Sequence, residues 1–374
     1  MFLAFGLFLK MIYRLQIRQE IYSDFWSHIW LHDIYLKEGQ FVFPPLYYFS
    51  FWGLLKVMPF LLTNAQAAAI ILILAFLAKF TITYFYLTKG VGKGHMTIAL
   101  LSLSLLFFFP FYLFDYEGPY LYMGKFTPNV WHNCTLTFVW PFSFMLFWDS
   151  LKWFDQPKTA GLWRMGLWSL LILISKPSFL FAFIPVFLFI GWFRQPEWRQ
   201  GIAIFVGVTL AGIWGLKEVI YSYSIDHILY GEDTKHQVVL LPLAVYKLYA
   251  DTPFLEILAS FVFPITAFAL VGKALIADFS IQFALMIAAS SLLIYLLLAE
   301  LGPRFPDANF YWQIPIALSI LYTCICKRLL EITLEKKAPN SPNWRLAIIF
   351  VVFLGNIASG IYYLHYYMDT KYYL

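Results

Sequence analysis

Asp24, His28 and His32 recur every four residues in the stretch Tyr22–Asp33, with Phe25, Trp26, Ile29 and Trp30 between them. Four-residue spacing puts a carboxylate and two imidazoles on one face of a helix. Two chemistries fit such a stripe. Asp24 and His28 can move protons, with Asp33 as a second acid just off the face. Alternatively, Asp24, His28 and His32 can ligate a divalent cation, Mg or Mn. The plainer alternative is an interfacial amphipathic helix whose polar side meets lipid headgroups.

Three further clusters carry polar groups beside apolar runs. Gly124-Lys125-Phe126-Thr127-Pro128-Asn129-Val130-Trp131-His132-Asn133 follows Asp115-Tyr116-Glu117-Gly118-Pro119. Asn129, His132 and Asn133 suit a hydroxyl-rich ligand and Trp131 offers a ring face, as sugar binding requires. Asn133 also precedes an apolar run and is a good helix N-cap. Ser175-Lys176-Pro177-Ser178 interrupts the apolar stretch 163–192. A lysine beside a helix N-terminus makes an anion site, and a snorkelling lysine is the alternative. In Glu300–Trp312, Arg304 is suited to bidentate phosphate or carboxylate binding, or to an ion pair with Glu300 or Asp307. Asn309 is a ligand contact or a cap.

The elements that must position these groups are membrane helices. Of the 374 residues, 61% are hydrophobic and 13% charged, against roughly 45–50% and about 25% in soluble domains. Mean hydropathy is +0.71. A water-soluble globule and a disordered chain are both excluded. The sequence predicts an all-α, polytopic membrane protein, a single integral membrane domain over 1–374. Spans fall at 44–62, 66–88, 96–114, 133–149, 163–192, 201–222, 253–272, 279–299, 310–326 and 346–364. Pro177 splits 163–192 into two shorter helices, giving roughly ten to twelve crossings.

Loop charges set the sides. Lys89, Lys93, Lys152, Lys158, Arg164, Arg194, Arg199, Lys273, Lys327, Arg328, Lys336, Lys337 and Arg345 mark the cytoplasmic loops. The loops 115–132, 223–252 and 299–309 then share the outer face with the Lys176 break. Counting 44–62 as a full crossing would put the juxtamembrane segment 14–43 on the cytoplasmic side. Its Pro44, Pro45, Lys56 and Pro59 favour a re-entrant or interfacial 44–62 instead, with 14–43 on the outer face.

The net charge of +5 sits largely in loops and predicts no nucleic-acid partner. The three cysteines form neither a disulfide framework nor a zinc motif. Met1–Tyr13 contains Lys10 and lacks a cleavage site, so it does not read as a cleavable signal. No Gly-rich phosphate loop, His-Glu-x-x-His or Gly-x-Ser-x-Gly is present.

Tyr22-Ser23-Asp24 and Phe43-Pro44-Pro45-Leu46-Tyr47-Tyr48 resemble the first outer loop of the C-superfamily (GT-C) membrane glycosyltransferases of bacteria. Asn-Val-Trp-His-Asn and Lys-Pro-Ser-Phe resemble segments of bacterial multi-span proteins of this kind. The resemblance covers the first 50 residues best. It implies a bacterial inner (plasma) membrane enzyme that takes a sugar from a polyprenyl-phosphate donor to a lipid, glycan or protein acceptor on the outer face. Asp24 would then be the base or metal-linked carboxylate. The family's second acid often stands closer than Asp33 does here. Cationic groups for the lipid phosphate are nominated on chemical grounds, as Lys176 and Arg304. A transporter or flippase of a lipid-linked or small polar substrate is the rival reading. A surface-polysaccharide polymerase or ligase would use similar chemistry.

Overall fold

A computed structural model describes residues 1–21, 23–91, 94–112, 123–223, 237–335 and 344–370. Tyr22, Lys93, the first part of the 115–132 loop, residues 224–236 of the 223–252 loop and the Lys336–Lys337 pair lie outside these. The chain is 78% helical, so the all-α expectation holds. Five helices are long and apolar enough to cross a membrane: Asn64–Thr88, Pro196–Ile220, Pro253–Ile276, Phe279–Leu297 and Trp344–Thr370. Three shorter apolar helices are His95–Leu106, Thr159–Leu173 and Ser178–Arg194. The sequence count of ten to twelve crossings therefore stands beside five helices of full spanning character among the described residues.

The described residues fall into two compact units, interleaved in sequence. The first holds Met1–Lys79 and the chain from Trp131 to the end of its ninth helix. Its helices are α1 (Phe2–Ile17), α2 (Phe25–Lys37), α3 (Leu46–Val57), the first part of α4 (Asn64–Thr88), α6 (Cys134–Asp155), α7 (Thr159–Leu173), α8 (Ser178–Arg194) and α9 (Arg199–Tyr223). Helix α5 (His95–Leu106) belongs to the second unit.

The break expected in 163–192 is present. Helix α7 stops at Leu173, α8 starts at Ser178, and Ser175-Lys176-Pro177 links them. Proline has no N–H to continue the α7 ladder, and its fixed φ suits the start of the next helix.

The candidate span 44–62 becomes a helix of 12 residues, about 18 Å long against a hydrocarbon core of about 30 Å. It does not cross. Asn64, at the start of α4, donates its Nδ2 to Asp33 Oδ1 of α2 at 2.9 Å. The chain thus returns to the side it left. Segment 14–43 packs against the N-terminal end of α4, the arrangement that a re-entrant or interfacial 44–62 requires.

Helix α6 is the backbone of the first unit. It buries most of its length and carries Pro141 inside it. Near its C-terminal end Asp149, with a side chain 4% exposed, accepts from Lys152 Nζ at 2.9 Å and from Trp168 Nε1 of α7 at 2.9 Å. Arg164 Nε stands 3.6 Å from the other side of the carboxylate. At Gly161 a Cβ would lie 2.7 Å from the Trp153 ring, so glycine lets α7 close onto α6.

In the second unit, β1 (Gln237–Leu240) pairs antiparallel with β2 (Leu298–Leu301), Val238 opposite Glu300. The loop-charge reading had put 223–252 and 299–309 on one face, and this two-stranded sheet joins them. The stretch 123–130 joins the same group. Tyr311 donates its hydroxyl to the Lys125 carbonyl at 2.9 Å, and the Phe126 N–H donates to Ser260 Oγ at 2.9 Å. A Cβ on Gly124 would run into the Tyr249 carbonyl, so the chain passes there as glycine.

Asp149→Ala removes the Trp168 hydrogen bond that ties α7 to α6 and the Lys152 bond within α6, while the half-exposed lysine and arginine left behind turn to water. The expected loss is about 2 kcal/mol, read as a lowered unfolding midpoint in detergent with the helical signal unchanged at low temperature.

Candidate functional site

Asp24 stands at the N-cap position of α2, but its carboxylate does not cap that helix. It turns to the N-terminus of α6 and accepts the Cys134 N–H, 3.1 Å to Oδ1 and 3.3 Å to Oδ2. A helix N-terminus presents free N–H groups and a partial positive charge, which favour an anion. Asn133 caps the same helix, its Oδ1 accepting from the Leu136 N–H at 2.9 Å. The cap reading of Asn133 is the one the structure bears out.

One turn along α2, His28 Nε2 lies 3.3 Å from Asp24 Oδ2. On the far side of the ring, Nδ1 lies 2.6 Å from the Tyr48 hydroxyl of α3. Burial raises the Tyr48 phenol far above its ordinary value, with Asp24 adding to the effect, so the phenol keeps its proton. The phenol and Nδ1 share this hydrogen bond, and Nε2 on the opposite edge of the ring faces the carboxylate. Asp24, His28 and Tyr48 form one hydrogen-bonded line.

Lys176 comes from the α7–α8 link. Its Nζ donates to Thr135 Oγ1 at 3.0 Å, one residue past Cys134. The link is held against the α3 end of the site by the Leu46 N–H bonding to the Ile174 carbonyl at 2.8 Å. Burial lowers the Lys176 ammonium to about 8, opposed by the attraction of Asp24 and Cys134. His132 is buried, and burial pulls its imidazole down to about 4 against the pull of Asp24. Burial also raises the Asp24 carboxyl, but His28, His132 and Cys134 outweigh it, and the group sits below the ordinary carboxylate range. At neutral pH the corner holds an ionised carboxylate, a neutral His132 and a largely protonated lysine. Asp24 and His28 remain partly open, their side chains 24% and 19% exposed.

The other expected residues lie elsewhere. His32 does not join Asp24 and His28. Its ring lies parallel over Tyr48 and 4.7 Å from Phe51, its side chain is 2% exposed, and Nδ1 points to Asp33 at 3.4 Å. That face of α2 is packed into α3, which outweighs the four-residue spacing. Asp33 bonds Asn64, nine residues or about 13 Å along the helix from Asp24. The expected metal stripe is thereby corrected. No group of three or more His, Cys, Asp or Glu side chains able to hold a metal occurs among the described residues. The Asp24 corner does not fit Mg or Mn either. It has one carboxylate, already bonded to a backbone N–H and facing an ammonium, where a hard cation needs several free oxygens.

Trp131 is buried and stacked on Phe76 at 4.8 Å, so its face is not open to a sugar ring. Asn129 belongs to the second unit and donates Nδ2 to the Leu105 and Phe108 carbonyls at 2.9 and 2.8 Å, closing the end of α5. Asn309 and Arg304 are also in the second unit. Asn309 Nδ2 donates to Glu300 Oε2 at 2.7 Å, and Arg304 lines a narrow cleft with both. The site around Asp24 is built from the first unit.

Tyr48 and Thr135 were not among the expected site residues. Tyr48 lay within the Pro-Pro-Leu-Tyr-Tyr stretch, but nothing in the sequence pairs position 48 with position 28. No protein-family model, no curated protein and no solved structure matches the chain.

His132 protonates near pH 4 in the folded chain and near 6.5 when unfolded. Between those values the unfolded state binds more protons, so stability falls as pH drops from 6.5 to 4. Asp24, whose carboxyl is lowered by folding, adds a loss below about pH 4. Thermal midpoints in detergent across this range should fall, and His132→Asn should flatten the slope between 6.5 and 4 while leaving the lower limb.

Proposed function

We propose that this chain is a multi-pass membrane glycosyltransferase of the GT-C kind. It moves a sugar from a polyprenyl-phosphate donor to a lipid, glycan or protein acceptor on the outer face of a bacterial inner membrane. One observation carries the reading: at the α6 N-terminus an ionised carboxylate, hydrogen-bonded to an imidazole, holds the Cys134 N–H, and the ammonium of the α7–α8 link bonds the next residue, Thr135.

Sugar transfer to a hydroxyl needs those two groups. Asp24 accepts the proton of the acceptor hydroxyl as its oxygen bonds the anomeric carbon. The bond from that carbon to the phosphate oxygen breaks, and the leaving polyprenyl phosphate keeps the electron pair. Lys176 faces the charge that grows on the phosphate. His28, fixed by Tyr48, orients Asp24 and spreads the proton's charge. A polymerase or ligase of surface polysaccharide would run the same step on a longer acceptor. A transporter or flippase draws support from the broken helix pair with a lysine at its link.

Purified protein in liposomes, supplied with polyprenyl-phosphate sugars, should release polyprenyl phosphate and form a glycosidic product. Substrate flux without product formation would favour the transporter. Asp24→Asn should lower turnover by roughly 10³-fold when assayed well below the unfolding midpoint, which itself should fall because the bonds to Cys134 and His28 lose their charge; full activity in that variant would remove Asp24 from the mechanism. Turnover should decline as pH rises through about 8, where Lys176 loses its proton. Lys176→Arg should carry that alkaline limb upward.

A further inference from the structure

Between α3 and α4 the chain runs Val57-Met58-Pro59-Phe60-Leu61-Leu62-Thr63, with no charged side chain. Four of these side chains stand out of the protein: Val57 is 77% exposed, Met58 41%, Phe60 98% and Leu61 74%. A soluble tip of this composition would be an unshielded apolar patch. Here hydrogen bonds close the turn on both sides. The Leu61 N–H bonds the Met58 carbonyl at 3.2 Å. Thr63 and Gln66 cap α4 reciprocally, N–H to Oε1 at 2.9 Å and N–H to Oγ1 at 3.2 Å. The Asn64–Asp33 bond then fixes the start of α4 to α2.

Covalent continuity decides what covers the patch. Helix α4, which starts at Asn64, is one of the five helices able to cross a bilayer. The apolar turn therefore sits at a membrane boundary and not in bulk water. Just before it, Lys56 Nζ lies 5.1 Å over the Trp52 ring, an aromatic–cation pair of the kind found at headgroup level. Helix α3 is too short to cross, so its apolar end needs to descend only partway.

We propose that the end of α3 and the turn Val57–Leu61 form a wedge seated among lipid acyl chains, in the leaflet on the α2 side of the membrane. Lys56 and Trp52 mark the headgroup level above it. The wedge sets the depth at which α2 rides, and it stands independently of the sugar-transfer reading.

Full-length Phe60→Cys and Leu61→Cys variants, labelled with an environment-sensitive NBD fluorophore and reconstituted in phosphatidylcholine–phosphatidylglycerol vesicles, test this. Cys134, Cys324 and Cys326 are buried, and unlabelled-background controls use the parent chain. Gln156→Cys, exposed in the polar loop between α6 and α7, reports the aqueous case. Emission at positions 60 and 61 should shift to the blue. Lipids with a nitroxide on the acyl chain should quench it several-fold more than at position 156. Water-like emission at both positions would overturn the wedge. So would blue-shifted emission that acyl-chain nitroxides do not quench and that rises with the protein-to-lipid ratio, which would mean a second copy covers the patch.

Discussion

The first unit depends on where one carboxylate puts its charge. Asp24 begins α2 yet serves the N-terminus of α6, so a single side chain ties two helix starts that are 110 residues apart in sequence. A half-buried carboxylate would be costly alone. A backbone N–H at a positive helix end, the His28 ring and the neighbouring His132 make the ionised form the stable one. The same arrangement leaves the carboxylate partly open to a substrate. Structural anchoring and chemical readiness come from one set of contacts.

Helix, membrane class and the α7–α8 break were legible because they rest on composition, local periodicity and proline chemistry. The pairing of the 223–252 and 299–309 loops was partly legible, since both are poor in basic residues. The two-stranded sheet was not, because four residues of Gln-Val-Val-Leu carry too little period to separate from a loop. The length of α3 was also obscure. Its apolar run looks long enough to span, its prolines and Lys56 argue against that, and the 12-residue helix with Asn64 returning to Asp33 shows that it stops early.

At the site, Asp24, His28, His132 and Lys176 were named from chemical type, and the fold gathers them. Four-residue spacing misled at His32, because α3 packs on that face and takes the ring out of the stripe. Asn129 and Asn133 look like sugar contacts by type, yet both satisfy helix ends, since free carbonyls and N–H groups near a membrane have few other partners. Tyr48 escaped notice because its role exists only once α2 and α3 lie side by side.

Helix α6 is gripped at both ends: Asp24 holds its first N–H and the Asp149 cluster holds its last turns to α7. Between the grips lies Pro141, which deprives Thr137 of its usual backbone donor. A rod pinned at two points and softened in the middle can bow without letting go. Curvature at the proline lets the basic-loop end of α6 shift while the Cys134 and Thr135 contacts of Asp24 and Lys176 stay made.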